Sequence, residues 1–442
     1  MASLAFQADT TMMSSGVMGA DMAQAQPMQD MYEVTFGEGW RLTGMTQAFP
    51  IYTRGRTRDG GSPLDDDGFY LTQAAAMINL ESPRRRFVLR VTPNFEGWTQ
   101  GDGELTFGGW GEGFIDKRHP HTLVHEAMVS VNFWDERHGG FSISGGKGFA
   151  PFGTDDPMSR PSVKYPTNHH LSQILERFTL NAVWQYGPWG VEAGVFGGSE
   201  PDGPYDFSNV ESFGDSWSTR VSRRFGSVGM GRWAWETSAS YARVAPGEHE
   251  EEPGPATEVE TGPTILYNGA VRFEGAATPD SRLYALVEYS VNDPAEEEGD
   301  WSLLGEARWV RGRHAPYVRF ERSTRPEYPR DGVSGEGFFR YDHDAEPIGG
   351  TAWSIASLGY GFTATKGTVS VRPFVEAQFF SAAGERGGVS AQELFGDDGF
   401  TSFSVGARLF FGGEPMRMGS YGVLDPMSRM ADMNSMTEMS GM

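Results

Sequence analysis

The stretch Ser402-Phe-Ser-Val-Gly-Ala-Arg-Leu-Phe-Phe411 alternates between two sets of side chains along its whole length. An apolar set (Phe403, Val405, Ala407, Leu409 and Phe411) is interleaved with a second, mostly polar or small set (Ser402, Ser404, Gly406, Arg408 and Phe410). Side chains alternate between the two faces of a β-strand, so a period of two indicates a strand whose faces meet different surroundings. We therefore predict a strand here with one apolar and one polar face.

The same alternation recurs from about residue 39 to residue 411. In one segment Val369, Val371, Pro373, Val375, Ala377 and Phe379 are interleaved with Ser370, Arg372, Phe374, Glu376 and Gln378. In another, Leu283, Ala285, Val287, Tyr289 and Val291 are interleaved with Arg282, Tyr284, Leu286, Glu288 and Ser290. The repeat predicts a long series of similar strands rather than one isolated hairpin.

Short and long breaks alternate between these strands. Short breaks fall near 82–84, 135–139, 187–189, 226–230, 277–281, 311–314 and 364–367. Long breaks fall near 50–68, 96–121, 148–172, 198–214, 245–263, 292–300, 322–350 and 381–399. This predicts an all-β chain: a closed antiparallel transmembrane β-barrel of about 16 strands, with 14 as the alternative count. Short turns would lie in the periplasm and long loops outside the cell.

The charges agree with a polar interior. Mixed-sign residues occupy the faces that we expect to point inward: Arg90, Arg177, Glu192, Arg220, Arg272, Glu288, Glu306, Arg308, Arg372, Glu376 and Arg408. The formal net charge of −23 argues against a nucleic-acid partner, which would need basic surfaces. The chain has no cysteine, so thiolate metal sites are excluded, and it has no apolar run long enough for a transmembrane helix.

The final strand carries a family resemblance. Ser404-Val-Gly-Ala-Arg-Leu-Phe-Phe411 resembles the last-strand assembly signal of bacterial outer-membrane β-barrel proteins of the porin-like type. The resemblance implies a channel in the cell outer membrane that contacts lipid and lipopolysaccharide, although residues 1–26 show no evident signal peptide. It also implies three parts: a Met-rich flexible periplasmic segment (1–38), the barrel (39–411) and a Met-rich flexible periplasmic tail (412–442).

Methionine is concentrated at both ends of the chain. The tail has one methionine at every third position, namely Met427, Met430, Met433, Met436, Met439 and Met442. The N-terminal segment has Met12, Met13, Met18, Met22, Met28 and Met31. Thioethers are soft ligands that favour Cu(I) over Zn²⁺ or Ca²⁺. The arrangement resembles copper-resistance outer-membrane barrels, which implies Cu(I) or Ag(I) binding and periplasmic copper proteins as partners. The alternative is a low-complexity tail without a specific function.

Histidines form a second candidate metal site. His119 and His121, with His125, precede or begin a strand after a long loop, and His169 and His170 end the next long loop. Imidazoles from both loops could bind Cu(II) or Zn²⁺ close to Asp155, Asp156 and Met158. The alternative is structural: a loop folded into the barrel mouth, with its histidines hydrogen-bonded to the backbone.

No motif indicates catalysis, and we predict that the chain is not an enzyme. A hydrolase would need a paired Ser and His, for which His125 and Ser130 are the weak candidates. The sequence therefore predicts a porin-like channel with metal-binding tails in copper uptake or resistance, requiring no cofactor. The alternatives are a general porin for small polar solutes whose tails have no function and, less favoured, an outer-membrane hydrolase or a structural barrel. The sequence does not determine the oligomeric state.

Overall fold

The computed structural model describes residues 32–58, 67–99, 122–135, 137–167, 169–199, 201, 205, 210, 212–229, 232–245, 262–278, 280–294, 299–327, 349–386, 388–390, 392–393, 396–413 and 417–426. Its strands, in chain order, are β1 (Tyr32–Phe36), β2 (Trp40–Thr57), β3 (Asp67–Glu81), β4 (Phe87–Pro93), β5 (Val124–Asp135), β6 (Gly139–Gly148), β7 (Arg177–Tyr186), β8 (Trp189–Gly197), β9 (Phe213–Gly229), β10 (Arg232–Val244), β11 (Thr264–Thr278), β12 (Ser281–Asp293), β13 (Trp301–Arg311), β14 (His314–Glu327), β15 (Gly349–Phe362), β16 (Ala364–Lys366), β17 (Val369–Arg386) and β18 (Gly399–Phe411).

Sixteen of these strands form a closed antiparallel ring. Strand β18 pairs with β2, from Phe400 opposite Thr57 to Phe411 opposite Thr46, and this pairing joins the two ends of the meander. The remaining two strands are short extensions. Strand β1 forms a hairpin with β2, and β16 continues β15 along the edge of β17. The predicted closed barrel of about 16 strands is therefore confirmed, because the first and last strands of the meander pair with each other.

The alternation of short and long connections is also as predicted. Within the ring, every second connection is a turn of a few residues. These turns join β3 to β4, β5 to β6, β7 to β8, β9 to β10, β11 to β12 and β13 to β14, and a short connection that includes β16 joins β15 to β17. The other end carries the long loops, of which the longest lie between β4 and β5, between β6 and β7, and between β14 and β15. We call these the short-turn end and the long-loop end.

The two strand faces separate as the sequence predicts. Val287, Phe403 and Val405 point outward, with exposed fractions of 54%, 50% and 41%. All eleven charged residues that were predicted to point inward are buried, and none exceeds 8% exposure. The described helices are only short turns, α1 (Glu96–Thr99) and α2 (His169–Ser172). Within the described part of the chain, no helix is both long and apolar enough to span a membrane.

Candidate functional site in the barrel lumen

The loop between β6 and β7 enters the ring instead of leaving it. Residues 149–176, here called the lumen loop, are almost entirely buried where they are described. Prolines at 151, 157, 161 and 166 prevent a regular strand or helix, because proline lacks a backbone donor and fixes its φ angle. The backbone polar groups of this irregular segment must therefore find partners elsewhere. The charged inner wall of the barrel supplies them.

Wall carboxylates accept hydrogen bonds from the lumen loop. Glu288 on β12 accepts from the Thr154 hydroxyl at 2.7 Å and from the Arg160 guanidinium at 3.2 Å. Glu376 on β17 accepts from the Ser162 hydroxyl at 2.8 Å. Two strands away, Glu321 on β14 accepts from the Thr167 backbone N–H at 2.6 Å. These contacts fix the loop against one side of the lumen.

Wall arginines bind the carbonyl groups of the same loop. On β14, Arg319 donates to the Lys164 carbonyl oxygen at 2.7 Å. Arg408 on β18 donates to the Pro161 carbonyl oxygen at 3.1 Å. Arg220, on β9 in the other half of the ring, donates to the Gly153 carbonyl oxygen at 3.2 Å. The loop therefore crosses the lumen and narrows it, held by several of the charges that the sequence placed on the inner wall.

His125 connects the two arms of the lumen loop. The register between β4 and β5 shifts next to Pro93, and His125 is the extra residue on β5 at this irregularity. Its Nδ1 lies 2.8 Å from the Glu176 carboxylate, and its Nε2 lies 3.5 Å from the Asp156 carboxylate. All three side chains are at most 1% exposed. The imidazole thus joins the first part of the loop, at Asp156, to its end, at Glu176.

The electrostatics of this contact favour an ionised Asp156. Burial by itself raises the pKa of the Asp156 carboxyl, but the hydrogen bond with His125 and the charges of His125 and His169 outweigh burial, so this pKa is below its ordinary value of 3.8. The backbone N–H of Met158 donates to the same carboxylate at 2.7 Å. Arg160 stays charged as well. Burial lowers the pKa of its guanidinium, but Glu288 and Glu306 outweigh this effect and raise it above its usual range.

A second segment fills the lumen beneath the loop. Residues 417–426, here called the C-terminal lumen segment, follow the last strand and are mostly buried. Its Tyr421 hydroxyl donates to Glu126 at 2.8 Å and accepts from the Phe149 backbone N–H at 2.9 Å. Arg417 bridges Asp155 at 2.8 Å and Glu236 at 2.6 Å. Burial raises the pKa of the Tyr421 phenol well above 10, and the neighbouring Glu126 carboxylate adds to this effect.

Further contacts bind this segment to the wall. Asp425 forms a buried ion pair with Arg90 on β4. The Val423 backbone N–H donates to the Ser142 hydroxyl at 3.1 Å, and Arg220 donates to the Gly419 carbonyl oxygen at 2.6 Å. The prediction that residues 412–442 form a flexible periplasmic tail is therefore wrong for 417–426. This stretch carries apolar side chains and charges that match those of the lumen, and its burial inside the barrel satisfies both.

A recess of about 80 Å³ remains beside the two segments. It is open on one side and lies near the short turn between β7 and β8, where Pro188 and Trp189 line it. Paired charges form much of its surface, including Arg220 with Glu192 and Arg224 with Glu236, each at 2.5 Å. The recess therefore presents both signs of charge.

The structure brings together only part of the predicted histidine site. His125 and Asp156 meet as described above, whereas the His169 Nε2 lies 2.9 Å from the Gln173 amide oxygen and its ring stacks on Tyr165. His170 belongs to α2. His119 and His121 lie outside the described residues. Among the residues that the structure describes, no group of three or more His, Cys, Asp or Glu is placed to hold a metal ion.

The methionine ligands lie outside the described residues. This applies to the N-terminal set (Met12, Met13, Met18, Met22, Met28 and Met31) and to the tail set (Met427, Met430, Met433, Met436, Met439 and Met442). The weak hydrolase pair is not formed. The Ser130 hydroxyl lies 2.7 Å from the Ser144 hydroxyl, and the two ring nitrogens of His125 face the carboxylates of Asp156 and Glu176.

Sequence reasoning missed the residues of the C-terminal lumen segment. Arg417, Tyr421 and Asp425 lie between the last strand and the regular methionine series, and they belong to neither pattern. The sequence does contain a signal: Tyr421-Gly-Val-Leu-Asp-Pro426 has three apolar residues and no methionine, unlike the series that follows it. Such a stretch is poorly suited to a solvated tail.

No protein-family model matches this chain, and no curated protein sequence matches it. Among solved structures, it is similar to outer-membrane expressed OmpT of Vibrio cholerae, with 11% identity, a TM-score of 0.48, and coverage of 86% of this chain and 100% of that one. It is also similar to Pseudomonas putida OprB, with 13% identity, a TM-score of 0.46, and coverage of 83% and 94%. It is similar as well to an anion-selective porin from Comamonas acidovorans, with 12% identity, a TM-score of 0.43, and coverage of 84% of this chain and 99% of that one. The 16-strand architecture rests on the strand pairing described above.

Proposed function

We propose that this chain is a porin-like channel protein of a bacterial outer membrane. The observation that supports this most strongly is the closed ring with charged side chains inside and apolar side chains outside. An apolar outer face suits lipid, and closure of the ring gives each of its strands a partner on both sides, as a bilayer requires. The short-turn end would face the periplasm, and the long-loop end would face the outside and its lipopolysaccharide.

The channel would be narrowed by its own chain. The lumen loop and the C-terminal lumen segment share the interior, and Arg417 joins them through Asp155. Small ions and polar solutes would pass beside them, along the recess with its paired charges. A change that detaches the C-terminal lumen segment should widen this path, because the segment occupies part of the lumen.

Conductance in planar lipid bilayers tests this function. We expect a small single-channel conductance for the full chain and a several-fold larger one for the double variant Arg417→Ala, Asp425→Asn, which removes three anchoring ion pairs. Arg58→Ala is the matched control, since Arg58 forms an exposed ion pair with Asp398 at 2.6 Å, away from the lumen. The absence of current from both the full chain and the double variant would contradict a channel.

The terminal methionines give this channel a more specific role. The proposal is that they capture Cu(I) or Ag(I) beside the channel mouth, in copper uptake or resistance, and exchange the ion with periplasmic copper proteins. Two features support it: soft sulfur ligands at regular spacing, and the sequence position of Met427 directly after Pro426, the last described residue, which is buried in the lumen.

Metal titration tests this role separately from conductance. Replacing the six tail methionines by leucine should lower the number of Ag(I) ions bound per chain and leave the single-channel conductance unchanged. If the variant binds as many ions as the full chain, the tail has no role in capture, and the protein would then be a general porin for small polar solutes.

A further inference from the structure

Four buried methionines meet inside the barrel. Met45, Met77, Met128 and Met418 belong to one apolar cluster of seven residues, in which they are exposed by 4%, 3%, 1% and 4%. The described residues contain only one other methionine, Met158, which lies outside this cluster. Most of the methionine that the structure describes is therefore concentrated at one place, although the rest of the inner wall is rich in charged and hydroxyl side chains.

The positions of these residues make their side chains converge. Met45 on β2 and Met77 on β3 are directly opposite each other in the strand register. Residues that face each other in this way have their side chains on the same side of the sheet and in contact range. Met128 reaches the cluster from β5, and Met418 reaches it from the C-terminal lumen segment.

The surroundings enclose the cluster. Phe149 and Leu175, from the two ends of the lumen loop, complete it together with Tyr421. Packing is close: a Cβ atom added at Gly148 would lie 3.0 Å from the Met128 Cγ and would overlap the Tyr421 hydroxyl. The four methionine side chains therefore belong to a closely packed, largely apolar cluster that is shielded from bulk water.

Such a space suits one class of ion. Thioethers are neutral, soft ligands that bind Cu(I) and Ag(I) and discriminate against hard cations such as Mg²⁺ and Ca²⁺. Methionine also has three rotatable bonds, so its sulfur can turn toward an ion without moving the backbone. For packing alone, leucine would serve about as well as methionine.

We propose that Met45, Met77, Met128 and Met418 form a site for one soft monovalent cation, Cu(I) or Ag(I), where the C-terminal lumen segment meets the barrel wall. This deepens the proposed function and rests on it for the class of ion. Three ligands belong to the wall and one to the segment. A bound ion therefore holds the segment in place and favours the narrowed channel, because a ligand stabilises the state that binds it.

The test is Ag(I) binding to the full chain, measured as ions bound per chain in chloride-free buffer. The triple variant Met45→Leu, Met77→Leu, Met128→Leu should lose one equivalent of Ag(I), whereas Met158→Leu, a control that replaces the fifth buried methionine, should lose none. A triple variant that binds as many ions as the full chain would overturn the proposal. If that variant fails to form the barrel, Met418→Leu replaces the one ligand outside the strands, and unchanged affinity for the site would overturn the proposal equally.

Two further measurements separate this site from the tail. A variant without the six tail methionines should keep at least one Ag(I) ion, and Ag(I) should reduce its single-channel conductance several-fold. If removal of the tail methionines does not lower the number of Ag(I) ions bound, only the proposed role of the tail is contradicted. Loss of all Ag(I) binding in the tail variant would contradict the internal site, as would an unchanged conductance when one ion is bound.

Discussion

At the scale of single residues, charge on the inner wall has a structural use. Arg220, Glu288 and Glu376 do not line an empty pore; each binds the lumen loop or the segment beneath it. A buried hydrogen bond contributes only about 1 kcal/mol net, but leaving a buried partner unsatisfied costs about 1–3 kcal/mol. The path of the lumen loop is therefore fixed by many hydrogen bonds that each contribute little, but the loss of any one leaves a buried polar group without its partner.

The His125 contact gives the first prediction. His125→Ala leaves the carboxylates of Asp156 and Glu176 buried without their shared partner, which costs about 3–5 kcal/mol for a broken buried charge pair. Urea unfolding of the folded barrel in detergent should show this loss. His138→Ala is the control, since His138 pairs with Asp135 in an exposed turn and its removal should leave the midpoint unchanged. Equal midpoints for both variants would disprove the structural role of His125.

The second prediction concerns acid. Because the pKa of Asp156 in the folded chain is below 3.8, its ionised form stabilises the fold fully above pH 3.8, and this contribution is lost as the pH falls through the folded-state pKa. Unfolding free energy measured against pH should therefore fall below pH 4. Asp156→Asn should lower the stability at neutral pH and flatten this part of the curve. If the Asp156→Asn variant loses as much unfolding free energy below pH 4 as the unchanged chain does, groups other than Asp156 cause the acid dependence.

At the scale of elements, two irregular segments behave differently from the strands around them. Their backbone polar groups are bound by wall side chains and by each other, because no sheet ladder is available to them. Close approach requires small residues at specific points. A Cβ at Gly148 on β6 would overlap the Tyr421 hydroxyl, and one at Gly422 would overlap the Ser142 hydroxyl. Glycine thus provides the space in which the C-terminal lumen segment packs.

The third prediction uses one of these glycines. Gly422→Ala should displace the C-terminal lumen segment and raise the single-channel conductance, because the added methyl group meets Ser142 and because Gly422 has a φ of +60°. The control is Gly312→Ala in the turn after β13, where φ is +56° and no atom lies within 4 Å of the added Cβ. The two variants share the backbone strain of about 1–2 kcal/mol, so only the steric clash differs. Equal conductances would contradict a plug held by this contact.

At the scale of the whole molecule, the closed ring separates two environments. Apolar and aromatic side chains cover the outside, while ion pairs and hydroxyl groups fill the inside. A ring without edges can carry such a pattern in lipid because all strand hydrogen bonds are made internally. The same closure creates the enclosed volume into which both irregular segments fold.

The fourth prediction addresses the outer face. Val287 stands at the middle of β12 and is 54% exposed, so Val287→Arg would place a charge near the centre of a bilayer. The expected cost is about 2–4 kcal/mol. Folding titrations in lipid vesicles measure it, with Val287→Ala as the control for lost side-chain volume. If the arginine variant were as stable as the alanine variant, this face would not meet lipid.

Much of this structure could be predicted from the sequence, because strand patterning is local. Alternation at positions such as Phe403 and Arg408 indicates which side chains face inward, and the spacing of breaks gives the strand count. The candidate site was predictable only in pieces. The sequence placed His125 near Asp156 and left two alternatives, a metal site or a loop folded into the barrel mouth. The structure shows the folded-in loop, and its contacts from His125 go to the carboxylates of Asp156 and Glu176. Nothing in the local pattern around His125 reveals the register shift that turns it inward.

Local residue patterns suffice to predict the barrel, its strand faces and the charged character of its interior, since each depends on residues a few positions apart. The segments that occupy this interior are known only from the three-dimensional fold. Arg90 meets Asp425 across 335 positions of chain, and Phe149 meets Tyr421 across 272. Contacts so distant leave no periodic trace in the sequence, because they depend on ring closure, which brings the lumen loop and the C-terminal lumen segment into one volume.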